Sequence, residues 1–239
     1  MLEALIFDVD GTLSETEELH REAFNRTFAA RGLDWHWTRD DYRRLLTTTG
    51  GKERIARHIR ECGADPTRFD IPAMHRDKTD RYTALMSEGG VTLRPGIAEL
   101  IAAARAAGLR LAVATTTSRP NVEALTQAAF GQPAERVFDV LACGDEVAAK
   151  KPAPDVYLLA LDRLGLTPDA AVALEDSSNG LRAARAAGLA CVVSPSTYTD
   201  GEDFAGAAAV VAEFAEIADP AALAQLLGRE RGENRGMTG

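Results

Sequence analysis

The sequence predicts an α/β protein whose core is a doubly wound parallel sheet with an inserted α-helical unit. Three observations support this prediction. Short apolar runs are typical of buried parallel strands. Helical patterns alternate with the later runs. A long stretch after the first run is helical throughout. The 239 residues suffice for one large domain or two modest ones.

Five apolar runs are predicted to be the strands of the sheet. Each is too short for a helix and is rich in Val, Ile, Leu or Ala. The predicted strands cover residues 5–7, 111–114, 137–141, 170–174 and 191–193.

Helices are predicted around the later strands, and glycines mark their ends. Serine is a favoured residue at a helix N-terminus, so the helix that follows the fourth apolar run is expected to start at a serine. One helix opens at 95–96 and ends at Gly108, a second covers 155–164, and a third begins at Ser177 or Ser178 and ends at Gly188.

Residues 15–87 are predicted to form an α-helical insert, a candidate second domain, because they contain no strand-like apolar run. Apolar residues recur at helical spacing over 15–31, 52–62 and 71–86. The α/β core then comprises residues 1–14 and 88–228. The polar, glycine-rich residues 229–239 are predicted to be a disordered tail.

Charge and composition exclude several classes of function. A net charge of −9 argues against nucleic acid as a partner, which requires a basic field. The sequence has no run of about 18 apolar residues, as a membrane span would need, and no basic n-region, as a signal peptide would need. Three widely spaced cysteines, Cys62, Cys143 and Cys191, favour reduced thiols in a cytoplasmic protein. We expect a monomer.

Polar side chains follow the predicted strands, at the edge where open parallel sheets bind their ligands. Carboxylates, a hydroxyl and a lysine therefore converge on one rim, although they are far apart in sequence. These residues are Asp8 and Asp10 after the first strand, Thr115 after the second, Lys150 and Lys151 after the third, and Glu175 and Asp176 after the fourth.

Such a concentration of carboxylates needs compensation, because their mutual repulsion would raise some of their pKa values. A hard cation, above all Mg²⁺, is the usual partner of an all-oxygen carboxylate site. Together with a hydroxyl and a lysine, this site is equipped for phosphoryl transfer, in which the protein mainly positions and neutralises the transferred group.

Four segments resemble, in order, the motifs of the haloacid dehalogenase superfamily of phosphatases. They are Asp-Val-Asp-Gly-Thr-Leu at 8–13, Thr115 after a strand, Lys-Pro-Ala-Pro-Asp at 151–155, and Leu-Glu-Asp-Ser-Ser-Asn-Gly at 174–180. The resemblance covers nearly the whole chain and implies a Rossmann-like core. It also implies that the insert is the α-helical cap of the branch containing β-phosphoglucomutase and phosphoglycolate phosphatase. Segments 47–57, 93–96 and 112–118 are most similar to the CbbY-type phosphatases, which act on xylulose 1,5-bisphosphate.

The resemblance implies a role for each acidic residue. Asp8 is the expected nucleophile, which takes the phosphoryl group as an aspartyl phosphate. Asp10 is the expected general acid and then base, and it offers its backbone carbonyl to the metal. Asp8 and Asp176 are expected Mg²⁺ ligands, with Glu175 a direct or water-mediated partner. Glu175 and Asp176 also fit a plainer role at the start of the next helix.

The resemblance also implies roles for the hydroxyl and the lysine. Thr115 is expected to hold a phosphate oxygen, with the N–H of Thr116 assisting. Taken alone, Thr115 fits an ordinary turn after a strand better than it fits a phosphate-binding role. Lys151, rather than Lys150, is expected to neutralise Asp8 and the phosphoryl group, because it directly precedes the proline. Lys150 is expected to face solvent.

Candidate substrate-binding residues lie on the insert, which is expected to choose the substrate. Glu17 and His20 share a helix face near the first motif. Lys52 follows two glycines at a helix N-terminus, a favourable place for an anion, and we expect it to bind a second phosphate. Lys78 is a further, weaker candidate, because charged residues of a helix usually face solvent.

The expected function is Mg²⁺-dependent phosphatase activity on a phosphorylated sugar, with xylulose 1,5-bisphosphate converted to xylulose 5-phosphate. Two alternatives stay open at this point. A β-phosphoglucomutase-like phosphomutase would use the same aspartyl phosphate but return it to a sugar hydroxyl. A non-catalytic receiver-like module would also carry a phosphorylated aspartate, although receiver domains present their acids, Thr and Lys in a different order.

Overall fold

A six-stranded, wholly parallel sheet forms the centre of the protein. The computed structural model describes residues 2–89, 91–217 and 219–233. The strand order β3-β2-β1-β4-β5-β6 is that of a doubly wound fold, so the predicted fold class is confirmed. The strands are β1 (Ala4–Phe7), β2 (Arg110–Ala114), β3 (Val140–Ala142), β4 (Ala171–Glu175), β5 (Ala190–Val193) and β6 (Ala209–Val210).

The third predicted strand and the edge strand differ from expectation. The predicted strand at 137–141 is displaced, because a short helix, Ala134–Val137, ends inside it. Val137 and Phe138 are buried, and burial alone makes a short run apolar whether it is strand or helix. β6 was not predicted, since it has two residues and Val210 is exposed.

Helices cover both faces of the sheet and alternate with its strands. Ser177 caps the helix after β4, as predicted, by accepting a hydrogen bond from the N–H of Gly180 (3.1 Å). The core helices are α5 (Ile97–Ala106), α6 (Arg119–Phe130), α7 (Ala134–Val137), α8 (Asp155–Leu164), α9 (Ser178–Ala186) and α10 (Pro220–Glu233). α10 enters the stretch predicted to be a disordered tail, of which 234–239 lie outside the described residues.

Among the described residues between β1 and α5, the predicted insert contains four α-helices and a short 3-10 helix, Pro66–Arg68. The α-helices are α1 (Glu17–Ala30), α2 (Arg39–Leu46), α3 (Gly51–Glu61) and α4 (Ile71–Ser87). The sequence patterns missed α2, because only two of its eight residues, Tyr42 and Leu45, are buried. A reciprocal capping box between Thr38 and Asp41 stabilises its start.

Three buried apolar clusters hold these layers together. Two flank the sheet, and their members alternate along β1, with Leu5 and Phe7 on one face and Ala4 and Ile6 on the other. The third cluster lies within the insert and includes one core residue, Tyr198. No helix over the described ranges is both long and apolar enough to cross a bilayer.

Candidate active site

The carboxyl ends of the strands meet the insert around a cavity of about 810 Å³. Its walls come from both parts of the chain, so residues distant in sequence face one another across it. The predicted site residues that line it are Asp8, Asp10, Glu17, His20, Lys52, Lys78, Thr115, Thr116, Lys151 and Asp176.

Lys151 is the centre of a buried ion-pair network. Its Nζ donates to Asp8 Oδ1 (2.6 Å), Glu175 Oε1 (2.6 Å) and the Ala114 carbonyl (2.8 Å). Burial alone would lower the pKa of Lys151, but the two carboxylates raise it above its ordinary value. Lys151 is therefore held as a cation next to Asp8. Lys150 does not face solvent as predicted, since its half-buried side chain lines the cavity and donates to the Gly144 carbonyl (3.1 Å).

Three carboxylates form a compact acidic group beside this lysine. Asp8, Glu175 and Asp176 each offer an oxygen, and these oxygens lie within 4.8 Å of one another. Burial raises the pKa of Asp8 to about 7, with Lys151 opposing and Glu175 adding to the rise. Burial, Asp8 and Glu175 raise the pKa of Asp176 well above its ordinary value. A single lysine does not balance the charge of three carboxylates. Hard oxygen donors arranged in this way fit a divalent cation such as Mg²⁺.

Two glycines allow these carboxylates to approach the backbone. A Cβ on Gly11 would lie 2.2 Å from Asp176 Oδ2, and a Cβ on Gly180 would lie 1.9 Å from Glu175 Oε2. Both positions belong to the motifs identified in the sequence. Glycine is required there because any side chain would displace a member of the acidic group.

The Asp10 side chain is not part of the acidic group and contacts the insert instead. Its Oδ1 accepts hydrogen bonds from Thr16 Oγ1 (2.6 Å), His20 Nε2 (2.9 Å) and the Tyr82 hydroxyl (3.2 Å). Burial alone would raise the pKa of Asp10, but His20 and Thr16 hold it well below its usual range. Asp10 is therefore a carboxylate in this arrangement.

His20 continues this network into the insert. Its Nδ1 is hydrogen-bonded to Lys78 Nζ, and its ring stacks on Tyr82 with centroids 3.9 Å apart. Burial and Lys78 lower the pKa of His20, and burial lowers the pKa of Lys78 to about 7. The imidazole is thus neutral, with its Nε2–H toward Asp10. Lys78, expected to be a weak candidate on a solvated face, is only 3% exposed.

The threonines after β2 adopt the turn that either interpretation of the sequence allowed. Thr115 is buried, and its Oγ1 accepts from the N–H of Thr117 (3.2 Å). Both Thr115 and Thr116 line the cavity beside the acidic group. A phosphate oxygen bound there could be reached by hydroxyl and backbone donors.

The insert contributes cations and a carboxylate to the lining of the cavity. Glu17 is half-buried and accepts from the Tyr42 hydroxyl (2.9 Å), which in turn accepts from Arg54 Nη1 (2.9 Å). Arg54 lines the cavity with its Nε buried and without a hydrogen-bond partner. Lys52 is exposed on the cavity wall at the start of α3.

Several site residues were missed in the sequence. Thr16 and Tyr82 stand four residues from His20 and Lys78 on α1 and α4, so helical spacing could have indicated them. Tyr157, which donates to Glu175 Oε1 (2.6 Å), lies on an apolar face that looks purely structural. Arg54 carries no signal that separates it from the other cations of α3.

Comparison with known proteins decides the family. The profile of haloacid dehalogenase-like hydrolases matches residues 2–188, most of the chain. The chain belongs to this family. The CbbY protein of Cereibacter sphaeroides is 63% identical over 223 residues, which are 93% of this chain and 97% of that protein.

Two crystal structures of CbbY from Rhodobacter sphaeroides also match this haloacid dehalogenase-like hydrolase, each with a TM-score of 0.91 and 63% identity. One is a complex with phosphate and covers 94% of this chain and 100% of that chain. The other is a mutant in complex with xylulose 1,5-bisphosphate and covers 93% and 99%. The predicted superfamily, its CbbY-type branch and the prediction of a phosphatase are confirmed.

Proposed function

We propose that this phosphatase is Mg²⁺-dependent and converts xylulose 1,5-bisphosphate to xylulose 5-phosphate. The geometry of Asp8 carries the proposal: a buried carboxylate, paired with Lys151 and grouped with Glu175 and Asp176, faces a cavity that could enclose a sugar. The substrate is proposed because the related CbbY protein has been crystallised with xylulose 1,5-bisphosphate.

In the first step, Asp8 attacks phosphorus, and the bond between phosphorus and the sugar oxygen breaks. The phosphoryl group becomes an aspartyl phosphate, and the sugar leaves as an alkoxide that takes a proton from Asp10. Because Asp10 is a carboxylate here, it must first gain that proton. The Lys78 ammonium can pass a proton to His20 Nδ1 while the His20 Nε2 proton passes to Asp10 Oδ1, which leaves His20 neutral and Lys78 an amine.

In the second step, water attacks the phosphorus of the aspartyl phosphate. Asp10 removes a proton from the water, inorganic phosphate leaves, and Asp8 is restored as a carboxylate. The hydrogen bonds from His20 and Thr16 that hold the pKa of Asp10 low also keep its Oδ1 in one place for both steps. Lys151 offsets negative charge on Asp8 throughout.

Asp8, Glu175 and Asp176, with the Asp10 backbone carbonyl, are the residues we expect to hold Mg²⁺. When bound, the ion would neutralise charge on the phosphoryl oxygens. Thr115 and Thr116 would hold those oxygens, since both line the cavity there.

We further propose that residues 15–87 act as a cap over the 1–14 and 88–228 core. Their helices form one wall of the cavity and would exclude water from the aspartyl phosphate. Glu17 would accept a hydrogen bond from a sugar hydroxyl. Lys52 would bind the phosphate that is not transferred, and Arg54, which lines the same cavity and has an unpaired Nε, would assist it.

A phosphate-release assay tests this function. With Mg²⁺ present, xylulose 1,5-bisphosphate is compared with ribulose 1,5-bisphosphate, fructose bisphosphates, β-glucose 1-phosphate and phosphoglycolate. We expect kcat/KM for the xylulose compound to exceed that for the two monophosphates at least ~10-fold, since groups placed to bind two phosphates would favour it. We expect it also to exceed that for the other bisphosphates, because their sugar hydroxyls would meet the polar groups of the cavity differently. EDTA should abolish activity and Mg²⁺ should restore it. Equal rates across the panel would contradict the substrate, and glucose 6-phosphate formed without free phosphate would indicate a phosphomutase.

A further inference from the structure

A loop of the core, residues 194–200, lies between the acidic group and the insert. It follows β5 directly, and the N–H of Ser194 donates to the Glu175 carbonyl (2.9 Å). Its side chains Ser196, Tyr198 and Thr199 are between 2% and 6% exposed. Such burial is unusual for a connecting loop, which normally runs over the surface. The loop is therefore packed between two partners.

On one side, the loop contacts Asp176 through Thr199. The Thr199 hydroxyl donates to the Asp176 carbonyl (2.7 Å), and it lies 3.4 Å from Asp176 Oδ2. The same hydroxyl accepts from the N–H of Ser196 (2.8 Å), which fixes its own direction. Thr199 thus contacts both the backbone and the carboxylate of one proposed metal ligand, and so restrains its orientation.

On the other side, the loop contacts the insert through Tyr198. Its hydroxyl donates to Glu18 on α1, and its ring meets that of Tyr42 edge-on, with centroids 5.7 Å apart. The Arg43 guanidinium lies 5.6 Å from the centroid of the Tyr198 ring and donates to the Thr197 carbonyl (3.1 Å). Tyr198 is the core's contribution to the insert's apolar cluster.

The base of the loop is fixed by Arg94, which lies where the chain returns from the insert. Arg94 is 5% exposed, and its Nη1 donates to the carbonyls of Ser194 and Gly11 (both 2.7 Å). Its Nη2 donates to the Pro195 carbonyl (3.0 Å). Because the start of the loop is tied to the backbone of the Asp8–Gly11 segment, a movement of the insert would act mainly on residues 196–199.

We propose that Tyr198 and Thr199 are positioning residues that couple the seating of the insert to the orientation of Asp176. The two residues are adjacent, so one peptide unit joins the contact with the insert to the contact with the acidic group. An insert seated on Tyr198 holds Thr199 against Asp176, and an insert that has moved away releases it. The inference rests on the proposed Mg²⁺ site.

The experiment measures Mg²⁺ affinity by titration calorimetry without substrate for Tyr198→Phe, Thr199→Val and the double variant. Thr199→Val should weaken Mg²⁺ binding on the order of 10-fold, the range seen when a partner of a metal ligand is removed. Tyr198→Phe should weaken it a few-fold, although its hydroxyl contacts only the insert. The loss in the double variant should be smaller than the product of the single losses. Thr199→Ser should bind as the wild type does.

Thr126→Val is the matched control, because this buried hydroxyl bonds only to backbone carbonyls of α6. Thermal unfolding and kcat and KM are measured for every variant. Unchanged Mg²⁺ affinity in Tyr198→Phe, or single losses that simply multiply, would overturn the coupling while leaving the proposed function in place. A wild-type protein that binds no Mg²⁺ would instead contradict the metal site of the proposed function, and the coupling with it.

Discussion

At the residue scale, Asp8 and Asp10 lie only two positions apart in the sequence but have very different surroundings. Burial raises the pKa of Asp8 to about 7 although its partner Lys151 opposes the rise, whereas His20 and Thr16 hold the pKa of Asp10 well below the usual range. Both follow β1, which ends at Phe7, so the alternation of a strand does not place them on the same face. The proposed roles of nucleophile and of general acid and base thus belong to carboxylates with different partners.

Replacing either aspartate should abolish turnover. Asp8→Asn removes the attacking oxygen and Asp10→Asn removes the proton carrier, so phosphate release should fall at least ~1,000-fold in each. Phosphate release is measured for both, with thermal unfolding to show that the fold is intact. Asp162→Asn, an exposed carboxylate on α8, is the control and should keep wild-type activity. Activity that survives in both variants would refute the roles given to these residues.

Lys78 should make stability depend on pH. Burial lowers its pKa to about 7, and Asp10, His20, Arg54 and Glu17 also act on it. Between pH 7 and 10 the unfolded chain holds this proton more tightly than the folded protein. Relative to Lys78→Met, the free energy of unfolding of the wild type should therefore rise with pH, by up to about 1.4 kcal/mol per pH unit.

Urea unfolding of the wild type and Lys78→Met at pH 7, 8 and 9 measures this difference. Groups that titrate alike in both proteins cancel in the comparison. A constant difference over the three pH values would show that Lys78 keeps an ordinary pKa in the folded protein.

At the scale of elements, the start of α9 lies so close to the end of β4 that it limits the size of the side chains between them. The Ser177 side chain caps the helix, and Gly180 in its first turn lies directly against the Glu175 carboxylate. Lys151 and Tyr157 hold that carboxylate from the other side. The helix and the strand therefore meet with no room for a methyl group.

Gly180→Ala should lower activity although alanine favours helices. Alanine usually stabilises a helix by up to about 1 kcal/mol relative to glycine, but here its Cβ would lie 1.9 Å from Glu175 Oε2. Displacement of Glu175 should reduce kcat by at least ~10-fold and cancel the stability gain. Gly228→Ala on α10 is the matched control, because no atom lies within 4 Å of the added Cβ. Normal kcat in Gly180→Ala would show that Glu175 can shift without consequence.

At the scale of the whole molecule, the insert and the core share one cavity and one buried network. Asp10 from the core is held by Thr16, His20 and Tyr82 of the insert, and the loop at 194–200 is held by both parts. The lining of this cavity includes Asp8 and Asp176 of the core and Lys52 of the insert. A molecule with two phosphates could therefore be bound by both parts at once.

Lys52→Ala should raise KM for the bisphosphate while leaving KM for β-glucose 1-phosphate unchanged, since only the former carries a second phosphate. Loss of one charged hydrogen bond corresponds to about 1.4 kcal/mol, or roughly a tenfold increase in KM. Steady-state kinetics on both substrates measures this. Arg68→Ala, an exposed cation of the insert, serves as the control. An unchanged KM for the bisphosphate would remove Lys52 from the second phosphate site.

The sequence alone determined the fold class, most strand positions and the core motifs. Buried parallel strands are apolar runs, helix ends are marked by serine and glycine, and ligands gather at strand ends, so these features are local and readable. Asp8, Thr115, Lys151 and Asp176 could be found in this way. The helix inside the predicted third strand, the polar α2 and the short β6 could not, because their patterns are weak or ambiguous.

Only the tertiary structure decided which partners each side chain meets. It placed the Asp10 carboxylate on the insert rather than in the acidic group, buried Lys78 against His20, and placed Tyr198 of the core in the insert's apolar cluster. Contacts between segments far apart in sequence set burial and charge, and these set pKa values and orientation. No local pattern in the chain encodes them.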